Sequence, residues 1–430
     1  MNNLQIIIVA ASIILAVLAL LIFAGILPGF KTAPPGKAGE VNFWGTIPQE
    51  VLNPALADFS QRHQSLKVNY RQFKEKTYIG ELVDALAAGK GPDVFILPQE
   101  QIVKQKDKIL AIDPQIYPLR TFRDNFLDLA EIYVSAGAIL GLPLQVDPLV
   151  LYWNRDLLAN AGLARMPAFW DEFPDAVQKL KIVDGQKIKQ AGLAMGEFGN
   201  IENAKDILAM LMLQTGNKIT DPETLKPVFS ERGNGPLSPA EEALLFFAGF
   251  ADPRKDTFSW SLAMPEALEA FSSGSLAMHI GYASDLEKIL AKNPHLNFNL
   301  REVPQIRGGR VQATFARSWA LAVSRQSKNT AAALTLIFDL TSYDQQKLLA
   351  QNSLKPPVLR SLLAEKPQEA AFEIFYEAAI RSRAWLDPDP AATRIIWQDA
   401  AKAALTGAKN LNQAADEAAR KFSTLIPSSD

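Results

Sequence analysis

The fold class follows from residues 41–97, VNFWGTIPQEVLNPALADFSQRHQSLKVNYRQFKEKTYIGELVDALAAGKGPDVFIL. Short apolar or alternating segments, typical of strands, are separated here by two segments in which apolar residues recur at helical spacing. The predicted strands are Val41–Gly45, Leu66–Tyr70 and Pro92–Leu97, and the predicted helices begin at about Pro48 and at Tyr78. This β-α-β-α-β order predicts an α/β lobe with a mainly parallel sheet.

The rest of the chain predicts a second, helix-rich lobe. Two apolar strands, 138–144 and 149–153, flank Asp147 and Pro148. Further strands are predicted at 276–280, 297–303 and 319–323, among amphipathic helices at 169–180, 202–214, 239–250, 265–273, 282–293, 331–340, 344–351, 368–383, 391–405 and 414–425. A chain of 430 residues, 48% of them hydrophobic, is long enough to build two cores.

An unbroken apolar run, Ile6–Leu27, precedes this body. At about 1.5 Å per helical residue the run is about 33 Å long, enough to cross a hydrocarbon core of about 30 Å. We therefore expect residues 1–30 to form a single-pass transmembrane anchor and residues 31–40, with Pro34-Pro35-Gly36, to form a linker. A cleaved signal peptide is the alternative, but its apolar core is usually only about 7–15 residues long. The flanking charges leave the orientation open, because no Lys or Arg precedes the run.

Composition excludes several classes of function. The formal net charge is −2 and no basic cluster stands out, which argues against a nucleic-acid partner. The chain has no Cys, so thiol catalysis, Cys-based zinc sites and a lipid-modified cysteine are excluded. The three histidines, His63, His279 and His295, are too widely spaced for a histidine metal motif. We therefore expect no metal and no cofactor.

Five stretches of the body occur in an order that matches a known family. They are FWGTIPQEVLNPALADFSQRHQSLKVNY (43–70), LVDALAAGKGPDVFILP (82–98), GLPLQVDPLVLYWNRDLLANAGL (141–163), ALEAFSSGSLAMHIGYASDLEKI (267–289) and SWALAVS (318–324). In this order the chain resembles the extracellular solute-binding proteins of ABC importers, the sugar-binding group typified by maltose-binding protein. The resemblance extends from about residue 40 to residue 425.

The resemblance implies an α/β, two-lobed periplasmic-binding-protein fold of type II, with a ligand cleft between the lobes. Lobe one is expected at 39–145 and 323–357, and lobe two at 147–320 and 360–430, joined by three crossovers that form a hinge. Such a protein closes on its ligand by a hinge motion. The expected partners are a small ligand, expected to be a mono- or oligosaccharide, and the subunits of an ABC permease. The body is then expected on the extracytoplasmic side of the cell membrane.

Sugar sites combine flat aromatic rings with carboxylate and amide groups that hydrogen-bond the hydroxyls. Trp44 and Thr46 follow the first predicted strand, at the edge where ligands of open α/β sheets bind. Asp147 lies between two apolar strands, where a charge is costly unless it is paired or faces a cleft. Asn200 precedes a predicted helix and is a further candidate for an amide donor.

The resemblance adds residues at positions where the family contacts its ligand. Glu100 falls in the family's ligand loop, and Asp147 falls at an acidic position of the first crossover. Gly281 and Tyr282 are expected to open a helix, with backbone N–H groups in the cleft and the Tyr282 ring stacked on a sugar. Trp319 lies at the second crossover, and Trp385 lies near the family's C-terminal site aromatic. Some of these residues have a structural alternative: core packing for Trp44, hinge packing for Trp319 and a hinge salt bridge for Asp147.

Other residues whose side chains could bind a ligand are expected to be structural. Asp93 follows a proline at the start of a strand, which favours a capping or turn role. His279 is flanked by Met278 and Ile280 on an apolar strand, and we expect an interior histidine with satisfied hydrogen bonds.

Three functions remain open from the sequence. The first is a membrane-anchored carbohydrate receptor that performs no chemistry. The second is an anchored glycosidase with a carboxylate pair such as Asp147 and Glu100, although no hydrolase motif is present. The third is a ligand-free interaction or signalling module on the same fold, because a fold alone does not prove a function. We expect the first, and therefore a binding protein rather than an enzyme.

Overall fold

The computed structural model describes residues 39–426, except residues 186, 234 and 368. The predicted anchor, residues 1–30, lies outside the described residues, as does most of the predicted linker. Within the part of the chain that the structure describes, no helix is long and apolar enough to cross a membrane. The first strand begins at Gly39, so the last two residues of the predicted linker belong to the body.

Within the described residues, ten strands form one mixed sheet and two short strands form a second. The strands are β1 Gly39–Gly45, β2 Leu66–Gln72, β3 Val94–Pro98, β4 Val134–Ser135, β5 Ala138–Ile139, β6 Leu142–Asn154, β7 Ile182–Asp184, β8 Lys187–Leu193, β9 Leu276–Tyr282, β10 Phe298–Glu302, β11 Thr314–Val323 and β12 Ser382–Arg383. The large sheet has the order β2-β1-β3-β11-β6-β9-β8-β7, with β10 paired to β6 and β12 paired to β11. β4 and β5 form the second sheet.

Helices cover the faces of the large sheet. The α-helices are α1 Gln49–Arg62, α2 Glu75–Ala87, α3 Ile102–Gln105, α4 Leu119–Asn125, α5 Arg155–Asn160, α6 Phe173–Leu180, α7 Ala204–Gln214, α8 Pro239–Gly249, α9 Ala267–Ser272, α10 Asp285–Lys292, α11 Thr330–Leu340, α12 Tyr343–Gln351, α13 Arg360–Leu363, α14 Ala370–Ile380, α15 Pro390–Thr406 and α16 Leu411–Ser423. Short 3-10 helices lie at Gln99–Gln101, Lys106–Lys108, Asp128–Tyr133 and Trp170–Glu172.

The N-terminal part of the sheet confirms the predicted β-α-β-α-β order. β1 pairs in parallel with both β2 and β3, with Val41 opposite Val68 and Phe43 opposite Val94. Helices α1 and α2 connect these strands and bury their apolar faces against them, as the helical spacing of the sequence predicts. β11, from much later in the chain, completes this region by pairing antiparallel with β3.

β6 corrects the prediction of two separate strands around Asp147 and Pro148. Its 13 residues run without a break, pairing first with β11 and then with β9 and β10. Pro148 lies where the partner changes, a position at which the missing N–H of a proline is tolerated. Its carbonyl oxygen accepts a hydrogen bond from the N–H of Ala283 at 2.9 Å. The sequence prediction broke the strand because prolines are rare inside sheets.

Two hydrophobic cores lie on either side of this change of partner. Phe95 and Leu321 belong to the first core, and Trp260 belongs to the second. β6 contributes side chains to both cores, since Leu144 packs in the first core and Leu151 packs in the second. Because a strand continues from one core into the other, the described chain forms two lobes joined by crossover segments.

The third crossover differs from the lobe bounds implied by the resemblance. The prediction assigns residues from 360 onward to lobe two, but Leu362 and Leu363 pack in the first core. The next buried residues, Phe375 and Ala378 of α14, pack in the second core, although Ala379 beside them belongs to the first. We therefore propose that the chain crosses between Leu363 and Phe375, and the other lobe bounds stay proposals.

Candidate ligand-binding cleft

A cavity of about 430 Å³ lies where the two cores meet. Small-molecule sites have volumes of about 300–1,000 Å³, so the space is large enough for a small ligand. Glu75 and Lys76, at the start of α2, form part of the wall on the lobe-one side. Three predicted site residues, Asp147, Tyr282 and Trp319, line the same cavity. β6, β9 and β11 thus bring together residues that are far apart in the chain.

Asp147 stands on β6 at the junction of the lobes and is 4% exposed. Its Oδ1 accepts a hydrogen bond from the backbone N–H of Ser284 at 3.0 Å. Burial raises the pKa of Asp147, while the positive charge of Lys355 and the hydrogen bonds from Ser284 act in the opposite direction. A carboxylate can accept several hydrogen bonds, so Asp147 has capacity left for the hydroxyl groups of a ligand.

Trp319 is half-buried on β11, opposite Gln145 of β6 and Pro98 of β3. The Lys355 ammonium lies 4.1 Å from the centroid of its ring, a cation–π distance. The indole can therefore act as a stacking platform where a ligand takes the place of this ammonium or covers the opposite face.

Tyr282 is the last residue of β9, opposite Leu149 of β6, rather than the first residue of a helix as predicted. The next helix begins at Asp285, because the pairing with β6 continues two residues beyond the predicted strand end. The Tyr282 hydroxyl donates to Asp206 Oδ2 at 2.5 Å, and the Arg317 guanidinium carbon lies 4.4 Å from the ring centroid. One face of this ring therefore carries a cation.

Sequence reasoning misses Arg317, which stands on β11 and lines the cavity. Its Nη2 contacts Asp206 Oδ2 at 3.0 Å, and its Nε lies 4.0 Å from Glu100 Oε1. Burial raises the pKa of Glu100, and the charge of Arg317 opposes that rise. Glu100 does not line the cavity, but it contacts Arg317, which does. The sequence feature that could have identified Arg317 is its isolated charge within the otherwise largely apolar strand TFARSWALAV.

Gly281 stands beside His279 on the same face of β9. An added Cβ at Gly281 would lie 2.7 Å from His279 Nε2 and 2.8 Å from Asp285 Oδ2, closer than real Cβ contacts. The N–H of the next residue, Tyr282, donates to Asp285 Oδ2 at 2.9 Å. A glycine is therefore required here by close approach, and this N–H is already paired within the protein.

The remaining predicted residues are not among those that line the cavity. Trp44, half-buried, packs on Phe73 at 4.7 Å between ring centroids, and Thr46 follows it at the end of β1. Trp385 is 7% exposed and packs in the second core beside Phe422.

Asn200 also lies outside the cavity wall, and its amide is used within lobe two. Its Oδ1 accepts from Trp260 Nε1 at 2.9 Å, and its Nδ2 donates to the carbonyls of Ser261 at 2.9 Å and Met264 at 3.0 Å. These contacts hold a loop of lobe two. Whether any of the four residues contacts a ligand stays a prediction.

His279 lines the cavity and differs from the expected interior histidine in one respect. It is 3% exposed, but its Nε2 has no hydrogen-bond partner. Burial lowers the pKa of His279 to about 4, and the Asp285 carboxylate only partly opposes this, so the imidazole is neutral near pH 7. Among the described residues, no group of three or more His, Asp or Glu side chains is arranged to hold a metal ion.

Comparison with known proteins places this architecture in a family. The sequence profile described as "Bacterial extracellular solute-binding protein" matches residues 45–347. The chain belongs to this family. The predicted resemblance is thereby confirmed, and the family is one of binding proteins whose members act outside the cytoplasm.

Individual solute-binding proteins share the fold at low sequence identity. The galactooligosaccharide-binding protein of Bacillus subtilis is 23% identical over 377 residues, which cover 86% of this chain and 85% of that protein. A cyclo/maltodextrin-binding protein solved with maltotetraose has a TM-score of 0.74 at 18% identity, covering 92% of this chain and 99% of that one. The cyclic α-maltosyl-1,6-maltose binding protein of Arthrobacter globiformis has a TM-score of 0.75 at 18% identity, covering 90% and 98%. These similarities confirm the two-lobed α/β fold.

Proposed function

We propose that this chain is the substrate receptor of an ABC importer and that it binds a carbohydrate in the cavity between its lobes. The observation that carries the proposal is the position of this cavity. It lies where β6 and β11 cross between the cores, so a ligand there touches both lobes and stabilises one relative arrangement of them. A permease can then distinguish the loaded receptor from the empty one.

The chemistry of the cavity wall supports a hydroxyl-rich ligand. Asp147 offers carboxylate acceptors, and Trp319 and Tyr282 offer aromatic rings, the combination that pyranoses require. We propose these three as direct contacts, with Glu100 acting through Arg317. The named relatives bind galactooligosaccharide, maltodextrin and cyclic maltosyl-maltose, which supports a sugar as the class of ligand.

The predicted site residues outside the cavity wall are proposed to contact the ligand only after closure or to act on it indirectly. Trp44 and Thr46 are proposed to approach the ligand when the lobes close by a hinge motion. Asn200, Gly281 and Trp385 are proposed to shape the site from behind, because their contacts lie within lobe two. In each case the test is the affinity of the substituted protein for the sugar.

We further propose that residues 6–27 anchor the receptor in the cell membrane, with the body on the extracytoplasmic side. The length of this apolar run supports an uncleaved helix. A tether keeps the receptor close to its permease, which raises the effective concentration of one partner around the other.

A thermal-shift screen of the full chain tests the proposed function. The protein is kept in a detergent without a sugar headgroup and is mixed with maltotriose, mannotriose, galactotriose, D-tagatose, polyamines and glycerophosphodiesters. A ligand that binds only the native state stabilises it by about 2.7 kcal/mol at one hundred times Kd. A shift with one sugar class supports the carbohydrate receptor, and a shift only with a polyamine or phosphodiester refutes it.

A ligand-free interaction module remains the second candidate, because one observation favours it. Both aromatic rings of the cavity carry a cation, Arg317 on Tyr282 and Lys355 on Trp319, so neither offers two free faces. A folded protein that shows no shift with any small molecule in the screen would favour this candidate over the receptor.

A further inference from the structure

His279 is part of the lobe-two wall of the cavity. The imidazole stands on β9 among aromatic rings, with centroids 6.1 Å from Tyr152 and 5.9 Å from Phe271. It is 3% exposed and lines the cavity, yet its Nε2 has no hydrogen-bond partner. Almost all buried polar atoms in proteins are paired, so an unpaired one needs an explanation.

Gly281 lets His279 and Asp285 approach the same stretch of backbone. A Cβ at this position would lie 2.7 Å from His279 Nε2 and 2.8 Å from Asp285 Oδ2, so the two polar atoms lie close together beside the Gly281 backbone. Asp285 also lines the cavity, and Lys288, whose ammonium donates to Asp285 Oδ1 at 2.8 Å, lies next to it. This part of the cavity wall therefore presents the polar atoms of His279 and Asp285 side by side.

The chemistry of the two atoms defines what fits. Asp285 accepts from Lys288 and from the N–H of Tyr282, and Oδ2 retains a lone pair. A neutral imidazole carries one proton, so Nε2 can donate to or accept from a neighbour. An alcohol hydroxyl matches both atoms, since it donates to the carboxylate and accepts from the imidazole. An anionic group does not, because it would face Asp285.

We propose that His279 is a specificity-determining residue that, together with Asp285, binds one hydroxyl group of the ligand at the cavity wall beside Gly281. This inference rests on the proposed function and narrows it to sugars that carry an unmodified hydroxyl at the position that meets His279. Deoxygenated, methylated and acidic sugars are rejected there, because a buried polar atom left unpaired is costly.

The test is His279→Phe in the full chain, in a detergent without a sugar headgroup. Phenylalanine keeps a ring among Tyr152, Phe271 and Phe298 but removes the unpaired nitrogen. We expect the Kd for the strongest binder among maltotriose, mannotriose, galactotriose and D-tagatose to rise about tenfold, while the thermal midpoint of the unliganded protein stays the same or rises. The matched control is His295→Phe, at an exposed position outside the cavity.

Monodeoxy analogues of that sugar give the second measurement. One of them is expected to bind the wild type about tenfold more weakly than the parent sugar and to bind His279→Phe as tightly as the parent does. An unchanged Kd in His279→Phe would overturn the inference and leave the proposed function standing, as would a midpoint that falls together with the affinity. A wild type that binds none of the four sugars would overturn both.

Discussion

At the scale of single residues, Asp147 combines near-complete burial with a free acceptor capacity. The substitution Asp147→Asn keeps an acceptor for the N–H of Ser284 but removes the charge that strengthens hydrogen bonds to ligand hydroxyls. We expect the Kd for the sugar found in the screen to rise about 10- to 100-fold, with no loss of thermal stability, by isothermal titration calorimetry and thermal melting. Asp107→Asn, at an exposed position, is the control. Equal affinities in the wild type and Asp147→Asn would remove Asp147 from the site.

A second prediction at the scale of single residues concerns His279 and the pH dependence of the free energy of unfolding. Burial lowers the pKa of its imidazole to about 4 in the folded state, and the surrounding charges of Asp285 and Lys288 partly offset each other. Below the ordinary pKa of about 6.5 the unfolded chain binds the proton more readily, so this group reduces the free energy of unfolding as the pH falls from 6.5 towards 4. Between pH 7 and 4.5 its contribution is about 2 kcal/mol.

Urea unfolding of the wild type and His279→Phe at pH 7 and pH 4.5 checks this value. The substituted protein is expected to lose about 2 kcal/mol less on acidification, because it has no imidazole to protonate. Parallel losses in both proteins would show that His279 accepts its proton as easily in the folded as in the unfolded state.

At the scale of elements, β11 carries a charge cluster that links the two lobes. Arg317 stands on this strand, 3.0 Å from Asp206 of α7 and 4.0 Å from Glu100, which follows β3. Arg317→Met leaves two poorly solvated carboxylates without their cation, and we expect the free energy of unfolding at pH 7 to fall by about 2 kcal/mol. Arg317→Lys, which keeps the charge, is expected to lose less.

The pH dependence identifies the cause of that loss. Without Arg317 the folded-state pKa of Glu100 rises further, so protonation stabilises the folded protein and part of the loss is recovered as the pH falls towards 5. Chemical denaturation of both variants at pH 7 and pH 5 measures this recovery. A loss in Arg317→Met that is the same at both pH values would indicate missing packing rather than uncompensated charge.

At the scale of the whole molecule, the body is expected to work without its N-terminal segment. Both hydrophobic cores of the described chain are built from residues that follow Gly39, so deletion of residues 1–38 removes none of their side chains. We expect the shortened protein to be a soluble monomer by light scattering and to bind the same sugar with the same Kd as the full chain. Aggregation, or a weaker Kd, would show that residues 1–38 do more than anchor the body.

The sequence by itself predicted the elements whose residues interact with near neighbours in the chain. The N-terminal β-α-β-α-β order follows from strand and helical periodicity, because each period repeats the burial of one face. The start of α8 follows from Ser238 before Pro239, and the structure adds a capping box in which the Ser238 hydroxyl accepts from Glu241 N–H. Together with the ordered motifs of the family, these local signals predicted the two-lobed fold and placed Asp147, Tyr282 and Trp319 among the candidates.

Only the tertiary structure decided which polar side chains are free to meet a ligand. Asn200 and Trp385 match sugar-binding residue types, but packing within lobe two places the amide in a loop and the indole in a core. Arg317 reaches the cavity because β11 crosses between lobes, and His279 lines the same cavity with its Nε2 unpaired. Such partners lie tens to hundreds of residues apart, and periodicity records only whether a side chain is buried, so sequence reasoning could not pair them.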